Sequence, residues 1–76
     1  MTVVAVIGLG YVGLPLVVEF GKHFRTIGFD ISESKVASCL RGVDPSRELS
    51  DADMAASPHA AYTADPSFLA EADLLP

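Results

Sequence analysis

The feature of this sequence that most constrains its fold is a glycine-rich turn between two apolar stretches. The stretch before the turn, VVAVI at 3–7, is apolar and mostly β-branched, which is typical of a strand buried on both faces of a parallel sheet. Gly8, Gly10 and Gly13 follow in the spacing G-x-G-x-x-G. A mostly apolar stretch then continues from Tyr11 to about Lys22 and predicts a helix packed on the sheet.

Each glycine of such a turn has its own physical role. Gly8 would end the strand where a side chain would obstruct the turn, Gly10 would let the backbone approach a pyrophosphate, and Gly13 would let the helix pack tightly on the strand. The backbone N–H groups of Tyr11 and Val12 are candidate phosphate donors at the positive end of the helix dipole. Such a site binds an anion without Lys or Arg. A purely structural glycine turn is the alternative interpretation.

An acidic residue at the end of the next apolar stretch supports dinucleotide binding. Asp30 follows the predicted strand 26–29 and stands 17 residues after Gly13, where a carboxylate can accept hydrogen bonds from the adenosine ribose. The same carboxylate would repel the 2′-phosphate of NADP, so NAD is the favoured cofactor. Lys35 is within reach of the ribose or the adenine edge. The alternatives are a helix-capping role for Asp30 and a solvated Lys35.

The middle of the chain continues with helices. Apolar residues recurring every three to four positions predict a helix from Glu33 to Leu40, capped by Ser32 or Ser34 and stopped by Gly42. A short helix is expected after residue 50, because SDAD at 50–53 has the pattern of a capping box.

The last third of the chain predicts two more strands. Ala60–Thr63 is a weaker strand, and a helix from Pro66 to about Ala72 is expected to turn Phe68 and Leu69 inward. ADLLP at 72–76 has the composition of a fourth strand that begins but is not completed. This order predicts an α/β chain with a partial Rossmann (doubly wound) fold: a parallel sheet of about three strands with flanking helices, incomplete at its C-terminus.

Composition excludes several classes of function. The formal net charge of −5 does not favour a nucleic-acid partner, and no apolar run is long enough to span a membrane. The single cysteine, Cys39, cannot form a disulfide within the chain and suits a reducing compartment, so we expect a cytoplasmic protein. Cys39 is expected to be a buried, inert thiol. His23 and His59 are isolated, and no spacing typical of metal ligands occurs.

The first part of the chain, VVAVIGLGYVGLPLVVEFGKHFRTIGFDISESKVASCLRGVD, resembles the N-terminal end of the UDP-glucose/GDP-mannose dehydrogenase family. The motif GLGYVGLPL, with its proline at 15, is most similar to the branch that oxidises UDP-N-acetylhexosamines for bacterial surface polysaccharides. ELSDADMAA and AYTADPSFLAEADLL follow the family more loosely. The resemblance implies oxidation of a nucleotide-sugar C6 alcohol to a carboxylate with reduction of two NAD. It also implies that the glycine turn with Val12, together with Asp30 and Lys35, contacts NAD.

The resemblance also implies that much of the enzyme lies outside these 76 residues. Members of the family are several times longer, and their catalytic cysteine, its helpers and the nucleotide-sugar site lie far beyond this segment. Cys39 does not match the motif of that cysteine, so no catalytic residue is assigned here. We expect residues 1–76 to be the N-terminal part of a Rossmann domain, either a fragment or a truncated product, that meets a nucleotide sugar only in a full-length parent.

Two other functions remain open from the residues alone. One is an S-adenosylmethionine-dependent methyltransferase, whose fold also uses a glycine turn and an acid after the second strand. The other is a non-catalytic remnant that forms a homo-oligomer through the edge of its incomplete sheet, because an open edge invites pairing.

Overall fold

Strands and helices alternate along the chain in a computed structural model that describes residues 2–10 and 12–75. The elements in chain order are β1 (Val3–Ile7), α1 (Gly13–Phe20), β2 (Arg25–Phe29), α2 (Glu33–Leu40), α3 (Asp51–Ala55), β3 (Ala60–Thr63) and a 3-10 helix (Pro66–Glu71). The predicted bounds of β1, α2 and β3 are confirmed. β2 begins one residue earlier than predicted.

The three strands form one parallel sheet in the order β1-β2-β3. In the register, Val3 lies opposite Arg25 at one end of β1 and Ile7 lies opposite Phe29 at the other. β2 pairs in turn with β3, with Phe29 opposite Thr63. The carboxyl ends of the strands therefore lie side by side, and the turn after β1 is next to the residue that follows β2.

The start of a fourth strand lies on the other edge of β1. Leu74 forms a parallel bridge with Val4, and its carbonyl accepts a hydrogen bond from the Ala5 N–H at 2.9 Å. Asp73 adds two bonds to Val3: its N–H donates to the Val3 carbonyl at 2.7 Å, and its carboxylate accepts the Val3 N–H at 2.8 Å. β2 and β3 are thus added on one side of β1, and the later segment at Leu74 is added on its other side, as in a doubly wound fold. The edge of β1 that was expected to be open is occupied near its beginning.

Both faces of β1 are covered from Val3 to Val6, as the continuous apolar pattern predicts, whereas Ile7 at the end of the strand is 60% exposed. On one face, Val4 and Val6 belong to the larger core cluster with residues of all three α-helices. On the other, Val3 and Ala5 pack with Ile27 and are covered by the 3-10 helix through Leu69 and Ala72. The larger cluster also contains Leu9, Leu14, Val17, Val18, Val36, Cys39 and Met54.

Two helix boundaries differ from the prediction. α1 begins at Gly13 rather than Tyr11 and ends at Phe20 rather than about Lys22. Pro15 is therefore the third residue of the helix and lies in its first turn, where a proline costs less than in a helix interior. The irregular first turn expected from a helix starting at Tyr11 concerns a residue outside those described.

The last helix is of a different type from the one predicted. Residues Pro66–Glu71 form a 3-10 helix, with Asp65 capping it through a 2.9 Å bond from the Ser67 N–H. Leu69 packs on the sheet as predicted, but Phe68 is 43% exposed, so the expectation that it turns inward is wrong. Neighbouring residues of a helix of either type point about 100–120° apart, and here Leu69, not Phe68, is on the side that packs on the sheet.

Candidate functional site

The turn after β1 requires glycine at its first position because of the backbone conformation. Gly8 has φ +99°, a region that residues with a side chain rarely adopt. Its N–H donates to the Phe29 carbonyl at 2.8 Å, which joins the ends of β1 and β2. A Cβ at Gly8 would meet no atom of the described residues within 4 Å. The reason for this glycine is therefore its φ angle, not the obstruction that the sequence suggested.

Gly13 is required by close packing, as predicted. A Cβ at this position would overlap the carbonyl oxygen of Gly8 and lie 2.9 Å from its carbonyl carbon. The Val6 side chain would be 3.6 Å away. The first turn of α1 thus lies directly against the end of β1, and only a residue without a side chain permits this approach.

Gly10 lies on the open side of the same turn. Among the described residues, a Cβ here would meet no atom within 4 Å, and Gly10 does not have a positive φ. It forms part of an open groove whose lining residues are Val6, Ile7, Gly8, Gly10, Val12, Gly13 and Leu16. Neither the fold nor the backbone conformation requires glycine at position 10, so the space beside it is available to a ligand.

In the part of the chain that the structure describes, no side chain caps the N-terminus of α1. Its N-cap residue is Val12, and its first turn contains no acidic residue. The Leu14 N–H already donates to the Gly10 carbonyl of the turn at 3.0 Å. By contrast, α2, α3 and the 3-10 helix are capped by the side chains of Ser32, Ser50 and Asp65. The uncapped N–H groups and the helix dipole make this end of α1 suited to an anion.

Asp30 connects the turn to the rest of the site. One carboxylate oxygen, Oδ2, accepts the Leu9 N–H at 2.9 Å, and Oδ1 accepts the Ser32 N–H at 2.8 Å. These two bonds hold the pKa of Asp30 below its ordinary value, and the positive charge of Lys35 adds to the effect. Asp30 is therefore a carboxylate at neutral pH. The cap of α2 is Ser32, so Asp30 is not the capping residue of that helix.

Lys35 lies in the first turn of α2 and is not among the residues that line the groove. Its side chain is exposed, and its backbone N–H donates to the Ser32 Oγ at 3.3 Å. Val12 lines the groove with 67% of its surface exposed. Tyr11, the remaining predicted site residue, lies outside the described residues.

Two residues that the sequence interpretation did not single out shape the turn. Leu9 is 1% exposed, so its side chain anchors the turn in the core while its N–H is bound by Asp30. It lies over Gly28, where a Cβ would be 2.9 Å from Leu9 Cδ2 and 3.0 Å from Tyr62 Cδ1. The signal for this packing was present, because a glycine inside an apolar strand often marks a close approach.

The single thiol takes no part in the groove. Cys39 is buried in the core cluster, as expected, and burial raises its pKa to about 11. Within residues 2–10 and 12–75, no three side chains of His, Cys, Asp or Glu are grouped to hold a metal ion. None of the helices in these ranges is long and apolar enough to cross a membrane.

Comparison with known proteins agrees with this geometry. The chain is similar to UDP-N-acetyl-D-glucosamine 6-dehydrogenases of Pseudomonas aeruginosa, at 45% identity over 60 residues, and of Salmonella typhi, at 39% over 62 residues. These matches cover 79% and 82% of this chain but only 14% and 15% of the relatives. A solved UDP-glucose dehydrogenase from the archaeon Pyrobaculum islandicum has the same fold, with a TM-score of 0.79 and 26% sequence identity. The match covers 99% of this chain and 19% of the archaeal chain.

The family assignment rests on a match over nearly the whole chain. Residues 2–72 match the sequence profile described as the NAD binding domain of the UDP-glucose/GDP-mannose dehydrogenase family. This match decides between the dehydrogenase and methyltransferase interpretations and assigns NAD as the cofactor of the domain. The chain therefore belongs to the UDP-glucose/GDP-mannose dehydrogenase family and matches its NAD-binding domain.

Proposed function

We propose that the turn between β1 and α1 holds the pyrophosphate of NAD. Gly8, Gly10, Val12 and Gly13 would surround it, and the uncapped N–H groups of α1 would donate to its oxygens. The observation that carries this proposal is the open side of Gly10 beside the uncapped N-terminus of α1, which offers both room and donors. The residues present thus fit a dinucleotide.

Asp30 is proposed to accept the hydroxyl hydrogens of the adenosine ribose. Each carboxylate oxygen carries one described hydrogen bond and has a second lone pair for a further donor. Because the group is ionised, it would repel the 2′-phosphate of NADP and favour NAD. Lys35 is proposed to contact the same end of the cofactor, since its charge acts on Asp30.

The whole protein that uses such a domain is proposed to oxidise the C6 alcohol of a UDP-N-acetylhexosamine to a carboxylate, for a bacterial surface polysaccharide. Support comes from the names of the two relatives above. When bound, NAD supplies the hydride acceptor for this chemistry. The residues of this chain bind and orient it. Cys39 is not the nucleophile, because it is buried and burial raises its pKa to about 11. We therefore propose that the 76 residues alone bind NAD without turnover.

Association with a second copy is a separate proposal. In the described part of the chain, β3 is paired only with β2, and the edge of β1 is bridged only around Leu74. A free strand edge carries unpaired N–H and carbonyl groups that another chain can bind. Light scattering on the 76-residue chain should then show a dimer or larger species, and a stable monomer would contradict it.

The proposed location is the cytoplasm, which a single free thiol suits.

Calorimetric titration tests the cofactor proposal. The chain should bind NAD more tightly than NADP, and S-adenosylmethionine should not compete. Asp30→Ala should weaken NAD binding and reduce the difference in affinity between NAD and NADP. Asp51→Ala removes an exposed carboxylate from α3, which contributes no residue to the groove, and serves as the matched control, with affinity unchanged. If Asp30→Ala leaves the NAD affinity untouched, Asp30 is not the ribose partner.

A further inference from the structure

Asp30 joins three segments of the chain at one point. It follows β2, its Oδ2 accepts the N–H of Leu9 in the glycine turn, and its Oδ1 accepts the N–H of Ser32 at the start of α2. The bond to Leu9 connects residues 21 positions apart in sequence. The carboxylate is therefore part of the structure that holds the turn, before any ligand is considered.

The glycine turn needs such a connection because its backbone is intrinsically free. Leu9 stands between Gly8 and Gly10, and glycine loses more conformational entropy on ordering than any other residue. The ends of the turn are fixed by the Gly8 N–H bond to Phe29 and the Leu14 N–H bond to Gly10. Between them, the peptide group of Leu9 is held by Asp30, while the Leu9 side chain is buried on the opposite side.

We propose that Asp30 is a positioning residue for the phosphate-binding turn, in addition to its role toward the ribose. This inference rests on the proposed NAD site. By holding the Leu9 peptide, the carboxylate orders the backbone that must surround the pyrophosphate. The turn then loses its conformational entropy on folding rather than on binding, and this raises the affinity for the phosphate part of the ligand.

A cofactor analogue separates the two roles of Asp30. NAD whose adenosine ribose lacks both hydroxyls cannot bond to Asp30, so a residue acting on the ribose alone would lose its effect on this analogue. The positioning role predicts that Asp30→Ala still weakens the analogue about tenfold, the equilibrium equivalent of one hydrogen bond to a charged group. Asp30→Asn keeps one acceptor oxygen and should recover part of that loss. Asp53→Ala, which removes a similar backbone–carboxylate bond in the capping box of α3, should have no effect.

Amide hydrogen exchange provides a readout that needs no ligand. In the ligand-free 76-residue chain, Asp30→Ala should accelerate exchange at the Leu9 N–H about tenfold while the Ile27 amide in β2 is unchanged, which also shows that the variant is folded. Unchanged exchange at Leu9, or an Asp30→Ala penalty that disappears with the analogue, would overturn the positioning role. Failure of the wild-type chain to bind either NAD or the analogue would overturn the proposed cofactor site instead.

Discussion

Replacing Gly13 by alanine should destabilise the fold without introducing any polar or charged group. The added methyl would overlap the carbonyl oxygen of Gly8, and the Gly8 carbonyl carbon would be 2.9 Å away. Both are backbone atoms and cannot rotate aside, so α1 would have to move away from β1. That movement loosens the contacts of Leu14 and Val17, which are fully buried.

The magnitude follows from two opposing effects. Overpacking of a tight site costs about 1–3 kcal/mol, and backbone neighbours place Gly13 at the upper end of that range. Alanine is favoured over glycine in a helix by up to about 1 kcal/mol, which offsets part of the cost. We expect a net loss of about 2 kcal/mol. A domain of this length has a total stability of about 4–11 kcal/mol, so the loss is a large fraction of it.

Urea unfolding followed by far-ultraviolet circular dichroism measures this loss. With a denaturant slope of about 1 kcal/mol/M, the midpoint should fall by about 2 M. Gly10→Ala is the matched control: its methyl would meet no atom of residues 2–10 and 12–75 within 4 Å, so the free energy of unfolding should stay within about 0.5 kcal/mol of wild type. A Gly13→Ala chain as stable as wild type, or more stable, would refute the packing argument.

Three further predictions concern buried or hydrogen-bonded groups. Asp44→Ala should lower the free energy of unfolding by about 2–4 kcal/mol, because the buried carboxylate accepts the N–H and Oγ–H of Ser46 and the N–H of Leu49, each at 2.8 Å. An unchanged urea midpoint would contradict this role. Stability should also fall as the pH is lowered from about 5. Hydrogen bonds keep the pKa of Asp30 below its ordinary value, and at Asp44 they outweigh burial, which by itself raises the pKa. The unfolded chain therefore takes up protons first, and melting temperatures that stay level from pH 6 to pH 3 would exclude this linkage. Finally, Cys39 should react with thiol reagents only as fast as the chain opens, since burial raises its pKa to about 11, and rapid labelling of the native chain would show that the thiol is accessible.

The order of elements and the sheet could be predicted because the signals are local. The β-branched run of β1, the serine cap of α2 and the capping box before α3 each lie within a few residues, and each is found in the structure. The glycine turn follows β1 and Asp30 follows β2, so the sequence also placed the turn and this carboxylate at the carboxyl edge of the parallel sheet. Their roles toward NAD remain predictions.

The features that escaped prediction depend on contacts between distant residues. The start of α1 at Gly13 follows from its approach to Gly8, and the bond between Asp30 and Leu9 needs the pairing of β1 with β2. Asp44 gave only a turn signal in the sequence, whereas its buried carboxylate organises residues 44–49. The exposure of Phe68 depends on which side of this short helix packs on the sheet, and the local sequence does not decide that.

Titration of the folded chain with NAD, in parallel with Gly10→Val, tests the central claim most directly. The valine side chain would extend into the open side of the turn, where the pyrophosphate is proposed to lie. We predict saturable binding of one NAD by the wild-type chain and none by Gly10→Val, with circular dichroism showing that both are folded. Equal NAD affinity in the two chains would contradict the assignment of this turn as the phosphate site.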